Sequence, residues 1–121
     1  MKKVLLIEDD MFLVEIYKKK FEEGGFLFEA APDGDEGLRK LKENRPDILL
    51  LDIVLPNFDG WEIIRKIKKD EQFKSLKTVI LSNLGQRSEV EKGIELGADK
   101  YLIKAHYTPT EVVEEVKKIM D

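Results

Sequence analysis

Short apolar runs alternate along the chain with longer stretches in which apolar residues recur every three or four positions. Residues 4–7, 48–51 and 78–81 are continuous apolar or nearly apolar runs, the pattern of strands buried on both faces in the middle of a parallel sheet. Residues 26–31 are a weaker, more alternating strand, and residues 100–103 a fifth. Between them lie helical patterns. Phe12, Leu13, Ile16, Tyr17 and Phe21 share one predicted face, opposite Glu15, Lys18, Lys19 and Glu22, until Gly24-Gly25 stops the helix. Pro32-Asp33-Gly34 turns the chain, and Asp33 with Glu36 three residues on predicts a capped helix through Leu38 and Leu41 that ends before Pro46. Trp61, Ile63, Ile64 and Ile67 predict a third helix, with Arg65, Lys66, Lys68 and Lys69 outward, followed by a polar connection over 70–77. Val90 and Ile94 point inward in a fourth that stops at Gly97. Thr108-Pro109-Thr110-Glu111 starts a fifth, whose apolar face is Val112, Val113, Val116, Ile119 and Met120.

Strand followed by helix, five times over, predicts an α/β fold with a parallel sheet and helices on both faces. Right-handed crossovers and a strand count too low for a closed barrel favour a flavodoxin-like, doubly wound sheet of five strands in the order 2-1-3-4-5. At 121 residues, without linker or low-complexity segment, the chain reads as a single domain over 1–121. Composition narrows the class. Apolar residues make up 42% and charged residues 38%, which suits a globular chain rather than a disordered one. The net charge of −4, with lysine and glutamate interspersed, argues against nonspecific nucleic-acid binding. Absence of cysteine removes disulfides, thiolate chemistry and cysteine–zinc sites. No apolar run approaches the ~20 residues of a membrane span, and the apolar start is too short and too soon acidic for a signal peptide. The expected location is the cytoplasm.

The carboxyl ends of parallel strands share one edge, where open α/β sheets bind ligands. To that edge the sequence brings Asp9 and Asp10 after the first strand, Asp52 after the third, Ser82 after the fourth and Lys104 after the fifth. Carboxylates this close repel unless a cation joins them, and oxygen ligands suit Mg²⁺. Lys104 is placed to pair with Asp52 when no anion is bound. A carboxylate nucleophile, a metal, a lysine and a hydroxyl are the parts that handle a phosphoryl group. Each residue alone has a plainer reading: Asp10 as the cap of the first helix, Asp9 as a loop acid, Ser82 as a turn residue, Lys104 as a solvated lysine. His106 reads as a surface residue.

Val-Leu-Leu-Ile-Glu-Asp-Asp at 4–10, Pro-Asp-Ile-Leu-Leu-Leu-Asp-Ile-Val-Leu-Pro-Asn-Phe-Asp-Gly at 46–60, Val-Ile-Leu-Ser-Asn at 79–83 and Gly-Ala-Asp-Lys-Tyr-Leu-Ile-Lys at 97–104 together resemble the response-regulator receiver domain of two-component signalling. The resemblance covers essentially the whole chain. It implies that Asp52 is the phosphoacceptor, taking a phosphoryl group from a sensor histidine kinase or phosphotransfer protein. It implies Mg²⁺ on Asp10, Asp52 and the backbone carbonyl of Val54, with Asp9 acting through water. Ser82 and Lys104 would contact the phosphoryl oxygens, and Ser82 and Tyr101 would form the switch. It further implies a switch rather than an enzyme, assisting only its own phosphorylation and dephosphorylation. With no output domain in this chain, the signal would pass by protein contact. An unknown downstream protein would read the face made by the fourth helix, fifth strand and fifth helix, without direct nucleic-acid or membrane binding. The sequence departs from the family in two places: Ala105 stands where proline usually follows the lysine, and Asn83 stands where a smaller residue is common. Val54 and Leu84 lie where the family varies polar and apolar residues near the path of a hydrolytic water, and both are apolar here. Two other readings remain: a pseudo-receiver that binds without being phosphorylated, and an aspartyl-phosphate phosphohydrolase, which the lack of a second acid at Val54 disfavours.

Overall fold

A computed structural model describes residues 1–55 and 58–120. In chain order the elements are β1 (Lys3–Ile7), α1 (Met11–Glu23), β2 (Leu27–Ala31), α2 (Gly34–Asn44), β3 (Ile48–Leu51), β4 (Val54–Leu55), β5 (Phe58–Asp59), α3 (Gly60–Lys69), a 3₁₀ turn (Glu71–Phe73), β6 (Lys77–Ser82), α4 (Arg87–Glu95), β7 (Lys100–Ile103), a second 3₁₀ turn (Lys104–His106) and α5 (Pro109–Met120). The five long strands form one parallel sheet in the order β2-β1-β3-β6-β7. Counting only those strands, this is the expected 2-1-3-4-5 arrangement. The difference in detail is an antiparallel pair of two-residue strands, β4 and β5, inserted after β3. Pro56 and Asn57-Phe58-Asp59-Gly60 predict a turn from sequence; Pro56 and Asn57 lie outside the described residues.

Strand alternation sends side chains to two separate cores. Leu5, Ile7, Leu49, Leu51 and Ile80 face the side covered by α2 and α3, where Leu41, Ile64 and Ile67 meet them. Val4, Leu6, Ile48, Leu50, Val79 and Leu81 face the side covered by α1 and α5, against Tyr17, Phe21, Val112 and Val116. All four β3 side chains are fully buried. Each contributes about 1.5–3 kcal/mol relative to exposure, so the strand that ends at Asp52 is held from both faces.

The helix starts follow from capping. Asp10 accepts from the N–H groups of Phe12 and Leu13 at 3.0 and 3.3 Å, capping α1. Asp33 caps α2 through the Glu36 N–H at 2.9 Å. Thr108 and Glu111 bond reciprocally at 3.1 and 2.9 Å, a complete capping box for α5.

Three expectations are corrected. Phe12, placed on the buried face of α1, is 79% exposed; the buried stripe is Val14, Tyr17 and Phe21. Ile94, expected inward, is 48% exposed, and Gly93 is the residue α4 buries. The connection over 70–77 is not wholly polar in role: Phe73 and Leu76 are buried under the sheet edge. On the same side Lys92 of α4 sets its ammonium 4.6 Å from the centroid of the Trp61 ring of α3.

Gly60 fixes how closely α3 approaches the end of β3. A Cβ there would lie 2.5 Å from the Ile53 Cα and 2.9 Å from the Asp52 carbonyl oxygen, both backbone atoms that have little room to yield. Gly60→Ala is therefore expected to lower stability by about 1–3 kcal/mol, the usual cost of overpacking. Urea unfolding measures this, and an unchanged midpoint would show that the chain bend after Asp52 relaxes freely.

Candidate functional site

The carboxyl edge of the sheet carries a pocket of about 460 Å³ whose lining includes Glu8, Asp9, Asp52, Ser82, Asn83 and Lys104. Asp52 follows the buried β3 and is itself only 6% exposed. Its Oδ1 accepts from the Val54 N–H at 3.2 Å, and its Oδ2 lies 2.8 Å from Lys104 Nζ. The expected Lys104–Asp52 pair is present. Lys104 Nζ also bonds Glu8 Oε1. Glu8 is 1% exposed, and its other oxygen accepts from the Asp10 N–H at 3.1 Å.

Glu8 is a pocket residue that the sequence does not single out, and Asp10, which the family resemblance implies as a metal ligand, is the cap of α1. One carboxylate oxygen from each of Glu8, Asp9 and Asp52 lies within 4.8 Å of the others. Asp10 lines the same pocket but does not belong to that cluster; its Oδ1 accepts from the N–H groups opening α1. A usable signal was the strand itself. The Glu8 N–H still bonds the Ala31 carbonyl at 3.0 Å, so the β1 ladder runs one residue past Ile7. Alternation then places Glu8 on the side of Val4 and Leu6.

Burial pushes the Glu8 carboxyl above its ordinary range, against the opposing pull of Lys104 and the Asp10 N–H. Burial also works against the Lys104 ammonium, but the carboxylates of Asp52 and Glu8 outweigh it and hold Lys104 above the usual lysine value.

Ser82 is fully buried at the end of β6, and its Oγ accepts from the Leu84 N–H at 3.3 Å. The Tyr101 hydroxyl donates to the Leu84 carbonyl. Burial, with the charges of Glu89 and Asp52, pushes the Tyr101 phenol up to about 12. An added Cβ on Gly93 would stand 2.8 Å from the Tyr101 ring, so α4 presents its one buried glycine to the aromatic. Tyr101 is thus already docked to the loop that Ser82 begins. Val54 is 61% exposed at the pocket mouth and Leu84 lines the wall. His106 is exposed, as expected. The Lys104–Ala105 bond is trans, since no described residue has a cis peptide. Lys104 opens a 3₁₀ turn instead.

A doubly wound sheet with clustered acids, a buried hydroxyl and a paired lysine at its carboxyl edge defines a receiver-type domain. Residues 4–117 match the response regulator receiver domain family, and the chain belongs to that family. It is 34% identical to the alkaline phosphatase synthesis transcriptional regulatory protein PhoP of Bacillus subtilis, over 98% of this chain and 48% of that protein. It is 31% identical to the phosphate regulon transcriptional regulatory protein PhoB of Escherichia coli, over 98% of this chain and 52% of that one. The chain thus spans about half the length of these relatives. Among solved structures it resembles the receiver domain of the Francisella response regulator 1452, with a TM-score of 0.90 and 29% identity over 98% of this chain and 96% of that one. The Thermotoga maritima response regulator DrrB matches with a TM-score of 0.86 and 28% identity, over 99% of this chain and 52% of that one. No helix among the described residues is long and apolar enough to cross a membrane.

The buried Glu8 gives a pH prediction with a definite sign. A carboxyl whose folded pKa is raised contributes stability below its unfolded value of 4.5, and that contribution is lost as pH rises through the folded value. Glu8→Gln cannot titrate. In metal-free urea unfolding, the stability of Glu8→Gln relative to wild type is expected to rise from pH 4.5 toward neutrality. A difference that stays flat or falls would contradict the burial assignment.

Proposed function

We propose that this domain is a Mg²⁺-dependent phosphoacceptor switch of a His-to-Asp phosphorelay, phosphorylated on Asp52. The observation that carries this reading is the environment of Asp52: a buried carboxylate between the Lys104 ammonium and the Glu8–Asp9 acid pair, beside a buried serine. Glu8, Asp9 and Asp52 supply only oxygen donors, which suits a hard divalent cation. The Val54 carbonyl completes the expected set. A cation held there would offset the repulsion between the acids and an incoming phosphoryl group. Asp10 has no place in this ligand set.

In the transfer, an Asp52 carboxylate oxygen attacks phosphorus while the bond from phosphorus to the donor imidazole nitrogen breaks, and the ring, already protonated on its other nitrogen, leaves as neutral imidazole with the P–N electron pair. Lys104 holds Asp52 in position beforehand. Afterwards its ammonium turns to a phosphoryl oxygen, and the Ser82 hydroxyl donates to another. The donor is a sensor histidine kinase or phosphotransfer protein. The exposed Met11 and Phe12, next to the acids at the start of α1, suit contact with a protein donor. Output runs through the loop after β6. Ser82 and Tyr101 both bond the backbone of Leu84, so a Ser82 drawn toward a phosphoryl group pulls on Tyr101 and on the face formed by α4, β7 and α5. A downstream protein reading that face completes the switch. The pseudo-receiver reading is the outcome if Asp52 does not react.

Mass spectrometry after Mg²⁺ and acetyl phosphate is expected to show one added phosphate on wild type and none on Asp52→Asn. The two acids after Glu8 are separated by a second pair of variants. Asp9→Ala should lose both Mg²⁺ binding and phosphorylation. Asp10→Ala should keep Mg²⁺ binding and lose only about 1 kcal/mol of stability, the usual cost of removing an N-cap. Equal loss of Mg²⁺ affinity in both would overturn the assignment.

Val54 and Leu84 offer no polar group to orient an attacking water, so dephosphorylation should be slow. Replacing both with polar residues, as Val54→Asn and Leu84→Glu, is expected to speed phosphate loss in a radiolabel decay assay. No acceleration would sink this account of the site.

A further inference from the structure

We propose that the amino edge of the sheet, opposite the phosphoryl pocket, carries a second ligand site that takes a small organic oxyanion: a phosphate or carboxylate head on a flat apolar body. This inference does not depend on phosphorylation of Asp52. The site is a cavity of about 510 Å³, as roomy as the 460 Å³ phosphoryl pocket and within the size range of small-molecule sites. It lies where β1, β3 and β6 begin, a strand length of roughly 13–17 Å from the acids.

Its lining divides into a cationic rim and an apolar floor. Lys2, Arg45 and Lys77 form the rim, and Phe73, Leu76 and Met120 the floor. The Lys2 and Lys77 ammonium groups have no hydrogen-bond or ion-pair partner among the described residues. Asp47 is the one carboxylate among the lining residues, and its Oδ2 is engaged by the Lys3 N–H at 2.8 Å.

Arg45 is the most telling of these residues. It ends α2 with φ +45°, the only non-glycine among the described residues in the left-handed region. Glycine takes that conformation at no steric cost and is the usual residue at such a helix end. Here the position carries a guanidinium instead. Its Nε bonds the Lys42 carbonyl at 3.2 Å, and its carbon sits 5.8 Å from the centroid of the Phe73 ring. A guanidinium over an aromatic ring, with its Nε already engaged, leaves its terminal N–H groups free as a fork, the geometry that recognises carboxylate and phosphate. Lys2 and Lys77 add point charges, and the floor accepts the apolar body.

The test is a metal-free NMR titration of the wild-type chain with phenyl phosphate and with benzoate, alongside inorganic phosphate and phenol as half-ligands. At least one of the two whole ligands is expected to shift Arg45, Lys77 and Met120 and to leave Ser82 and Lys104 unmoved. Each half-ligand should bind about tenfold more weakly or worse. The two heads separate phosphate from carboxylate preference. Arg45→Gly accepts φ +45° and keeps the fold, yet should lose about tenfold or more in affinity; Arg45→Lys, which keeps the charge but not the fork, should restore only part of it. Lys77→Gln provides an independent loss. The proposal fails if the shifts map to Lys104 and Ser82, if Arg45→Gly binds as well as wild type, or if inorganic phosphate binds as tightly as phenyl phosphate. It also fails if neither whole ligand shifts the amino edge.

Discussion

The Lys104 ammonium, shared between two buried carboxylates, is the contact on which the carboxyl edge depends. Three strands converge on it: β1 delivers Glu8, β3 delivers Asp52, and β7 delivers Lys104 itself. Without that ammonium two largely buried negative charges would face each other, and breaking a buried pair is far more costly than an exposed one. The sheet must be closed and in register for the three groups to meet, so the fold is a precondition of the site. In turn the site sets a demand on the fold, because its polar groups sit directly on top of two apolar cores.

Much of this architecture was legible because buried strands and capped helices leave strong marks. Residues 48–51 and 78–81 read as strands from their apolar run alone, and the Thr108-Pro109-Thr110-Glu111 signal marked the start of α5. Helix faces were less legible. The repeat through Phe12, Ile16 and Tyr17 is compatible with more than one rotation, and only packing against α5 selects Val14, Tyr17 and Phe21. The same holds for α4. It packs through a glycine against Tyr101 and leaves Ile94 outside, and no hydrophobic count reveals a helix that docks by the absence of a side chain.

The site was legible as a set and illegible in one detail. Asp52, Ser82 and Lys104 were identified by their position after apolar runs, which needs only a correct strand end. Glu8, Asp9 and Asp10 are consecutive acids, and assigning them depends on where the ladder stops and the helix begins. That boundary falls between Glu8, still bonded to Ala31, and Asp10, already bonded to α1. A one-residue shift exchanges a cap for a member of the acid cluster. The family resemblance pairs Ser82 with Tyr101, but that both also bond the backbone of Leu84 was out of reach, since no side chain of distinctive type marks that contact.

The contact between Lys92 and the Trp61 ring has a practical consequence. Trp61 is the only tryptophan of the chain, so its emission comes from one place, the start of α3 beneath the ammonium of α4. Indole fluorescence responds to a charge above its ring. The domain therefore carries an intrinsic optical gauge across the seam between α3 and α4, and a displacement of α4 relative to α3 registers as a change in colour or brightness without any attached dye.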